Sequence, residues 1–285
     1  MIFIKKRSEP RALSDARRVL RQTPDVVCNY DNLPPRTRRD IVGSLVAEQG
    51  EICAYCMRRI SVQDARIEHY LVRHPSDTYR RQLSGSGVRA DYDADAKSLD
   101  YRNMLAVCDG GSDSGQPDRT CDAARNAGRN KDVPLKVDPL NPGSIAQVRY
   151  RNDGTVWSED SDINRDLDKL LNLNSRAFSL KENRRRALVS LQKKIEGHCR
   201  AHGPQSKRNW CAKMYGRISS ATTKSEYVAL RGFVWVDASA NRAAAAYTSA
   251  PLCNRRLTER RTLGASLSRK SALCNPSGRP ECAFP

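Results

Sequence analysis

Apolar positions recur at helical intervals in only a few stretches of the chain. Leu13, Ala16, Val19 and Leu20 share one face of a predicted basic helix over residues 10 to 21, with Arg17, Arg18 and Arg21 on the rest of its surface. Ile41, Val42, Leu45 and Val46 repeat the pattern in a second predicted helix, which opens near Pro35 and stops at Gly50. The clearest helical region spans residues 160 to 198, where Leu170, Leu173, Ala177, Leu180, Leu188, Leu191 and Ile195 fit one face. KSEYVALRGFVWV, residues 224 to 236, predicts a last helix or strand. Beyond it no amphipathic period survives, and residues 237–285 read as a disordered basic tail.

Between these stretches the texture differs. From Glu51 to Pro142 the apolar pieces are short and are separated by Cys pairs and Gly and Asp clusters. Such a segment closes no large core unaided and gains from a metal staple. Residues 75 to 98, which contain SGSG, predict a mobile insertion, and DGGSDSGQPDRT between Cys108 and Cys121 predicts a second surface loop. The expected organisation is a basic helical segment over 1–50, a compact core over 51–142, a helical region over 143–236 and the tail.

Charge narrows the range of partners. Fifty Lys and Arg against thirty-two Asp and Glu give a formal +18 in 285 residues, which favours a polyanion, nucleic acid first. No apolar run approaches the roughly 18 residues of a membrane span, and the apolar part of MIFIKKRSEP is too short for a signal peptide, so the expected location is cytoplasmic, with no membrane. In that compartment ten cysteines point to metal ligands or reactive thiols rather than disulfides.

The candidate chemistry lies in the Cys-rich segment. Cys53-Ala-Tyr-Cys56 is a CxxC that can be a redox pair or half of a tetrahedral zinc site, and Cys108 and Cys121 are the nearest candidates for the other half. Between the pairs stands Glu68-His69, a carboxylate beside an imidazole: one can hold a hard divalent cation while the other takes a proton from water. A regular strand would send the two to opposite faces, so joint action requires the strand to end or bulge here. Asn103 can orient an imidazole or pin a loop, and Asp122 can bind a cation or cap a helix. Lys181, Arg184, Arg185, Arg186, Lys193 and Lys194 can line a phosphate backbone or form a solvated face. His198, Cys199, His202 and Cys211 make a weaker second cluster, and Trp157, Trp210 and Trp235 read as packing residues.

Taken in order, CAYC, IEHY, DYRNMLAVC and TCDAAR resemble the HNH endonuclease motif in its zinc-stapled ββα-metal form. The MIFIKKRSEPRAL opening, VPLKVDPLNP and LNLNSRAFSLKENRRRAL extend the likeness, over about residues 1 to 235, to the HNH subunit of Septu and retron-associated anti-phage systems. The resemblance implies an α+β fold: a small zinc-bound ββα-metal core over 51–142, embedded in a mainly helical protein. It implies a metal-dependent DNA endonuclease coupled to an ABC-type or SMC-like ATPase. Under it His69 is the general base, Glu68 and Asp122 hold catalytic Mg2+ or Mn2+, Asn103 orients the site, and Cys53, Cys56, Cys108 and Cys121 bind structural Zn2+. Arg125 stands where such nucleases often place a phosphate-facing Lys, and Lys131, Arg184 and Arg185 are further nucleic-acid contacts. Glu68 replaces the usual Asp, and Asn126 is a rival to Asp122 as the last ligand. A zinc-dependent nucleic-acid-binding or adaptor module without catalysis is the alternative, and a redox protein is third.

Overall fold

The computed structural model describes residues 1–85, 92–112, 118–219 and 221–230. Helix α1, Arg11–Gln22, buries Leu13 and Leu20, and helix α2, Pro35–Gln49, buries Ile41, Leu45 and Val46. Proline in the first turn of α2 and left-handed Gly50 (φ 72°) after its last supply the expected start and stop.

Strand β1, Arg66–His69, is followed by helix α3, Asp77–Gly85, and helix α4, Ala94–Ser98, before strand β2, Met104–Val107. The two strands pair antiparallel, with Arg66 opposite Val107, Glu68 opposite Leu105 and His69 opposite Met104. All four residues of β2 are buried. The Gln49 side chain bonds the main chain of Ala106 in both directions, accepting at 2.8 Å and donating at 2.7 Å, and Ala54 N–H also donates to Ala106 O. The end of α2 and the CxxC turn thus satisfy polar groups that a third strand would otherwise take.

The predicted mobile insertion over 75–98 is ordered wherever it is described. Tyr79 and Leu83 of α3 are buried, Tyr92 Oη donates to Val72 O, and Asp93 caps α4. The polar composition hid two short helices, one buried through Tyr79 and Leu83 and the other through Ser98.

Helix α5, Cys121–Arg125, leads through helix α6, Pro142–Ile145, to strand β3, Arg149–Tyr150, and strand β4, Val156–Trp157, which form a second antiparallel pair. The region 160–198 is not one helix. Helix α7, Ser161–Arg165, passes into a π-turn, Asp166–Leu170, and the chain then breaks before helix α8, Leu180–His202. The break has tertiary causes. Buried Asp166 accepts the N–H groups of Lys136 and Val137, and Asn174 bonds the main chain of Val156 in both directions. Leu170 and Leu188 therefore belong to different helices that meet in one core. Helix α9, Lys207–Ser219, follows, and residues 228–230 of the last predicted element are helical.

The main apolar cluster joins segments from Met1 to Leu230, including Leu13, Leu45, Leu105, Val137, Leu167 and Leu180, and a smaller one joins Leu191 and Ile195 of α8 to Cys211. The fold is mixed helix and sheet, and no helix of the described residues is long and apolar enough to cross a membrane. Residues 231–236 of the last predicted element, the 237–285 tail and Trp235 lie outside the described residues.

Candidate metal centre and flanking site

Cys53 and Cys56 sit in a tight turn closed by Met57 N–H to Cys53 O and by Cys53 N–H to Arg58 O, with Met57 in the left-handed region. Cys108 directly follows β2, and Cys121 is the first residue of α5. The thirteen-position gap between them closes because Thr120 N–H donates to Gly110 O at 2.9 Å and Cys121 N–H to Leu171 O at 2.9 Å. Residues 113–117 within that gap are not described.

The four thiols are buried and their sulfur atoms all lie within 4.8 Å of one another. Cys56 and Cys108 are 3.8 Å apart, and Cys53 and Cys121 are 3.9 Å apart. A tetrahedron with Zn–S bonds of about 2.3 Å places its sulfurs about 3.8 Å apart, whereas a disulfide needs about 2 Å. The set can therefore hold a metal ion such as zinc, and it suits no disulfide. Hydrogen bonds from Cys121, Cys53 and Cys56 pull the Cys108 thiol well below its ordinary range, while burial pushes Cys53 up. Nearby Arg58 offsets part of the negative charge that four thiolates would bring.

Strand β1 carries Glu68 and His69 in unbroken register and ends immediately after His69, so the bulge that would bring them together is absent. Glu68 points to the α5 side, where its carboxylate pairs with Arg125 and accepts from Tyr55 Oη at 3.3 Å. Asp122 lies beside it, and burial together with the Glu68 charge pushes the Asp122 carboxyl up to about 9. Asn126 donates its amide to Asp122 Oδ1, so it attends that carboxyl as a partner.

His69 occupies the other side. Its Nε2 lies 2.9 Å from Ser98 O, and its ring meets Tyr30 edge-on with centroids 4.9 Å apart. A carbonyl only accepts, so Nε2 carries the proton and the neutral ring keeps its lone pair on Nδ1. Burial lowers the imidazole pKa to about 4, against a smaller upward pull from the Ser98 bond. Asn103 pins the backbone around this ring. Its amide donates to Leu71 O and Lys97 O at 2.9 and 3.1 Å, and its oxygen accepts Leu71 N–H at 2.8 Å. Of its two expected modes of action, loop pinning is the one present.

Two expected nucleic-acid contacts are corrected. Arg125 is 1% exposed and spends its guanidinium on Glu68, His69 O and Tyr70 O. Arg184 is also 1% exposed and donates to Gly154 O at 2.6 Å and Leu173 O at 2.7 Å, inside the core. Both face inward because loop carbonyls from distant segments need a donor there. Arg185 and Lys131 are exposed, Arg185 with its guanidinium on Glu182. The residues that sequence reasoning missed are Ser98, Tyr30 and Tyr55, which act through a main-chain oxygen or a ring and so leave no motif.

His198, Cys199, His202 and Cys211 gather near the α8–α9 corner. The His198 ring stacks between His202 and Trp210, at 4.4 and 4.8 Å, and Ser206 Oγ meets its Nε2. Among the described residues, the grouping that could hold a metal ion is the four-cysteine set and not this corner. No protein-family model matches the chain, and no curated protein matches it either.

Proposed function

We propose that the chain is a zinc-stapled HNH-type endonuclease in which His69 takes a proton from the water that attacks a phosphodiester. One observation carries this reading: a buried imidazole, kept neutral and locked as the Nε2–H tautomer by Ser98 O, stands at the end of the hairpin that the cysteine clamp anchors. A general base needs that state at neutral pH. As Nδ1 takes up the proton, the Nε2–H stays on the Ser98 carbonyl, so the ring does not turn during the transfer. Zinc would fix the frame through Cys53, Cys56, Cys108 and Cys121, and does no chemistry there.

The catalytic Mg2+ or Mn2+ that the resemblance implies does not fit the acidic pair as arranged. A hard cation takes about six oxygen ligands, whereas the Glu68 carboxylate is already paired with Arg125 and Asp122 Oδ1 already accepts from Asn126. The same pair favours one rival reading, a zinc-dependent nucleic-acid-binding or adaptor module, because a carboxylate already paired with arginine is what a non-catalytic scaffold would keep. DNA as substrate rests on the +18 charge and the resemblance, and a defence ATPase as partner rests on the resemblance alone. Incubation of plasmid DNA with the protein and Mg2+ or Mn2+, with and without an ATPase partner, separates the readings. Wild-type protein is expected to cleave and His69→Ala to be slower by about 10²–10⁴-fold; a His69→Ala protein that cleaves like wild type overturns the proposal.

A further inference from the structure

The Glu68 side of the hairpin is closed by Arg125, whereas the His69 side carries cations that the chemistry above does not use. They gather on Tyr30. The guanidinium carbons of Arg73 and Arg38 lie 4.8 and 5.1 Å from the centroid of the ring that His69 meets edge-on. The neighbouring Asp31 then draws these groups together. Arg73 Nη1 pairs with one Asp31 carboxylate oxygen, His74 Nε2 lies 2.9 Å from the other, and Arg38 Nη2 donates to the Asp31 main-chain oxygen at 2.5 Å. Arg38 Nε is buried without a hydrogen-bond partner. The Arg73, His74 and Asp31 side chains are 31%, 72% and 46% exposed, so solvent and ligand reach them.

We propose that Arg73 and His74, with Arg38 alongside on the Tyr30 ring, form the seat for the scissile phosphate of a nucleic acid beside His69, and that the Asp31 carboxylate fills this seat in the free protein as an internal anion. The inference rests on the reading of His69 as the base. A carboxylate bridging a guanidinium and an imidazole through its two oxygens presents what two phosphate oxygens would present, and the planar arginine fork suits either anion. Arg73 and Asp31 also bear electrostatically on His69 itself, in opposite directions, which places the pair next to the ring. A phosphate exchanging with Asp31 would bring its phosphorus towards the imidazole, and the two guanidinium groups would stabilise the charge that grows on its oxygens during attack. No bond is made to either arginine. Water supplies the hydroxyl, His69 receives its proton, and the leaving oxygen departs with the electron pair of the broken P–O bond.

The test is equilibrium binding of a labelled 20-base-pair duplex by the full chain, titrated against salt in buffer without added Mg2+ or Mn2+. Arg73→Gln is expected to weaken binding and to lower the slope of log K against log salt by about 0.9, one phosphate contact. Asp31→Asn is expected to strengthen binding, because it frees the seat. Arg73→Lys is expected to keep the slope while losing the fork. Removing any exposed charge shifts binding in these same directions, so the effects of Arg73→Gln and Asp31→Asn are expected to exceed those of Lys169→Gln and Asp162→Asn respectively; effects no larger than these, equal signs, or no change in either, overturn the seat. Cleavage by His69→Ala is read separately, so failure of the base and failure of the seat are distinguishable.

Discussion

Glu68 and His69 are consecutive in the chain and face opposite ways: the carboxylate lies on Arg125 beneath α5, and the imidazole donates to Ser98 O beside Tyr30. The alternation of a regular strand produces this, since the pairing runs through both residues before β1 ends. The acidic cluster and the base are therefore divided by the hairpin, and each can be tested alone.

Gly110 permits the cysteine clamp to close. It has φ +61°, and a Cβ there would stand 2.0 Å from the carbonyl oxygen of Thr120, the residue before Cys121. Gly110→Ala is expected to cost more than about 1–3 kcal/mol and to lower zinc occupancy. Metal analysis and thermal melting of the purified variant check this, and wild-type values in both would show that the loop closes by another route.

Cys53 sits in the CxxC turn, and its sulfur also accepts Cys108 N–H at 3.4 Å. Cys53→Ser is expected to lose stoichiometric zinc and cooperative unfolding together, because structural zinc contributes on the order of 10 kcal/mol to small metal-dependent domains. Elemental analysis beside a denaturation curve decides it; an unchanged curve with no metal would make the clamp irrelevant to folding.

His69 links stability to pH with a definite sign. Its folded pKa of about 4 lies below the ordinary 6.5, so the unfolded chain takes the proton first. Its share of the stability is complete above about pH 6.5 and is lost as pH falls towards 4, amounting to about 3 kcal/mol. Denaturation at a series of pH values is expected to show this loss in the wild type and not in His69→Ala. Cleavage by the wild type is expected to be flat with respect to this group from about pH 6 to 8, and His69→Ala to fall by about 10²–10⁴-fold.

Arg125 supports the core and makes no contact with DNA on this account. Arg125→Met leaves Glu68 buried without its cation and is expected to cost about 3–5 kcal/mol, while Arg125→Met with Glu68→Gln recovers much of that. Urea denaturation reads both. Loss of duplex binding by the double variant, with its stability restored, would return Arg125 to the nucleic-acid surface.

Arg184 and Arg185 are neighbours with opposite expected responses. Arg184→Gln gives up bonds to Gly154 O and Leu173 O and is expected to lose at least about 2 kcal/mol. Arg185→Gln, on the exposed face, is expected to stay within about 0.5 kcal/mol. Matched melting curves check the contrast, and equal losses would contradict the inward course of Arg184.

Much of the local structure was legible in the sequence. Pro35 and Gly50 bound a helix because proline presets its first turn and glycine accepts the left-handed stop. The CxxC was readable as a redox pair or half of a zinc site, with Cys108 and Cys121 as the nearest candidates for the other half, and the structure brings the four sulfurs together. Other features were not legible. The apolar period over 160–198 continues across a break made by Asp166 and Asn174, whose partners are more than fifteen residues away. Ser98 lay inside a stretch that composition marked as a spacer, and it acts through a carbonyl that every residue possesses.

By itself, then, the sequence determined the start and stop of α1 and α2, the presence of a CxxC with two further thiols available to a metal, and which polar side chains carry candidate chemistry. Only the tertiary structure decided which way those side chains point: Arg125 and Arg184 inward, Arg185 outward, Glu68 and His69 apart. The physical reason is that propensity and spacing are properties of neighbouring residues. The direction of a charged side chain depends on which unsatisfied carbonyls and counter-charges distant segments bring to it, and on the cost of leaving any of them buried without a partner.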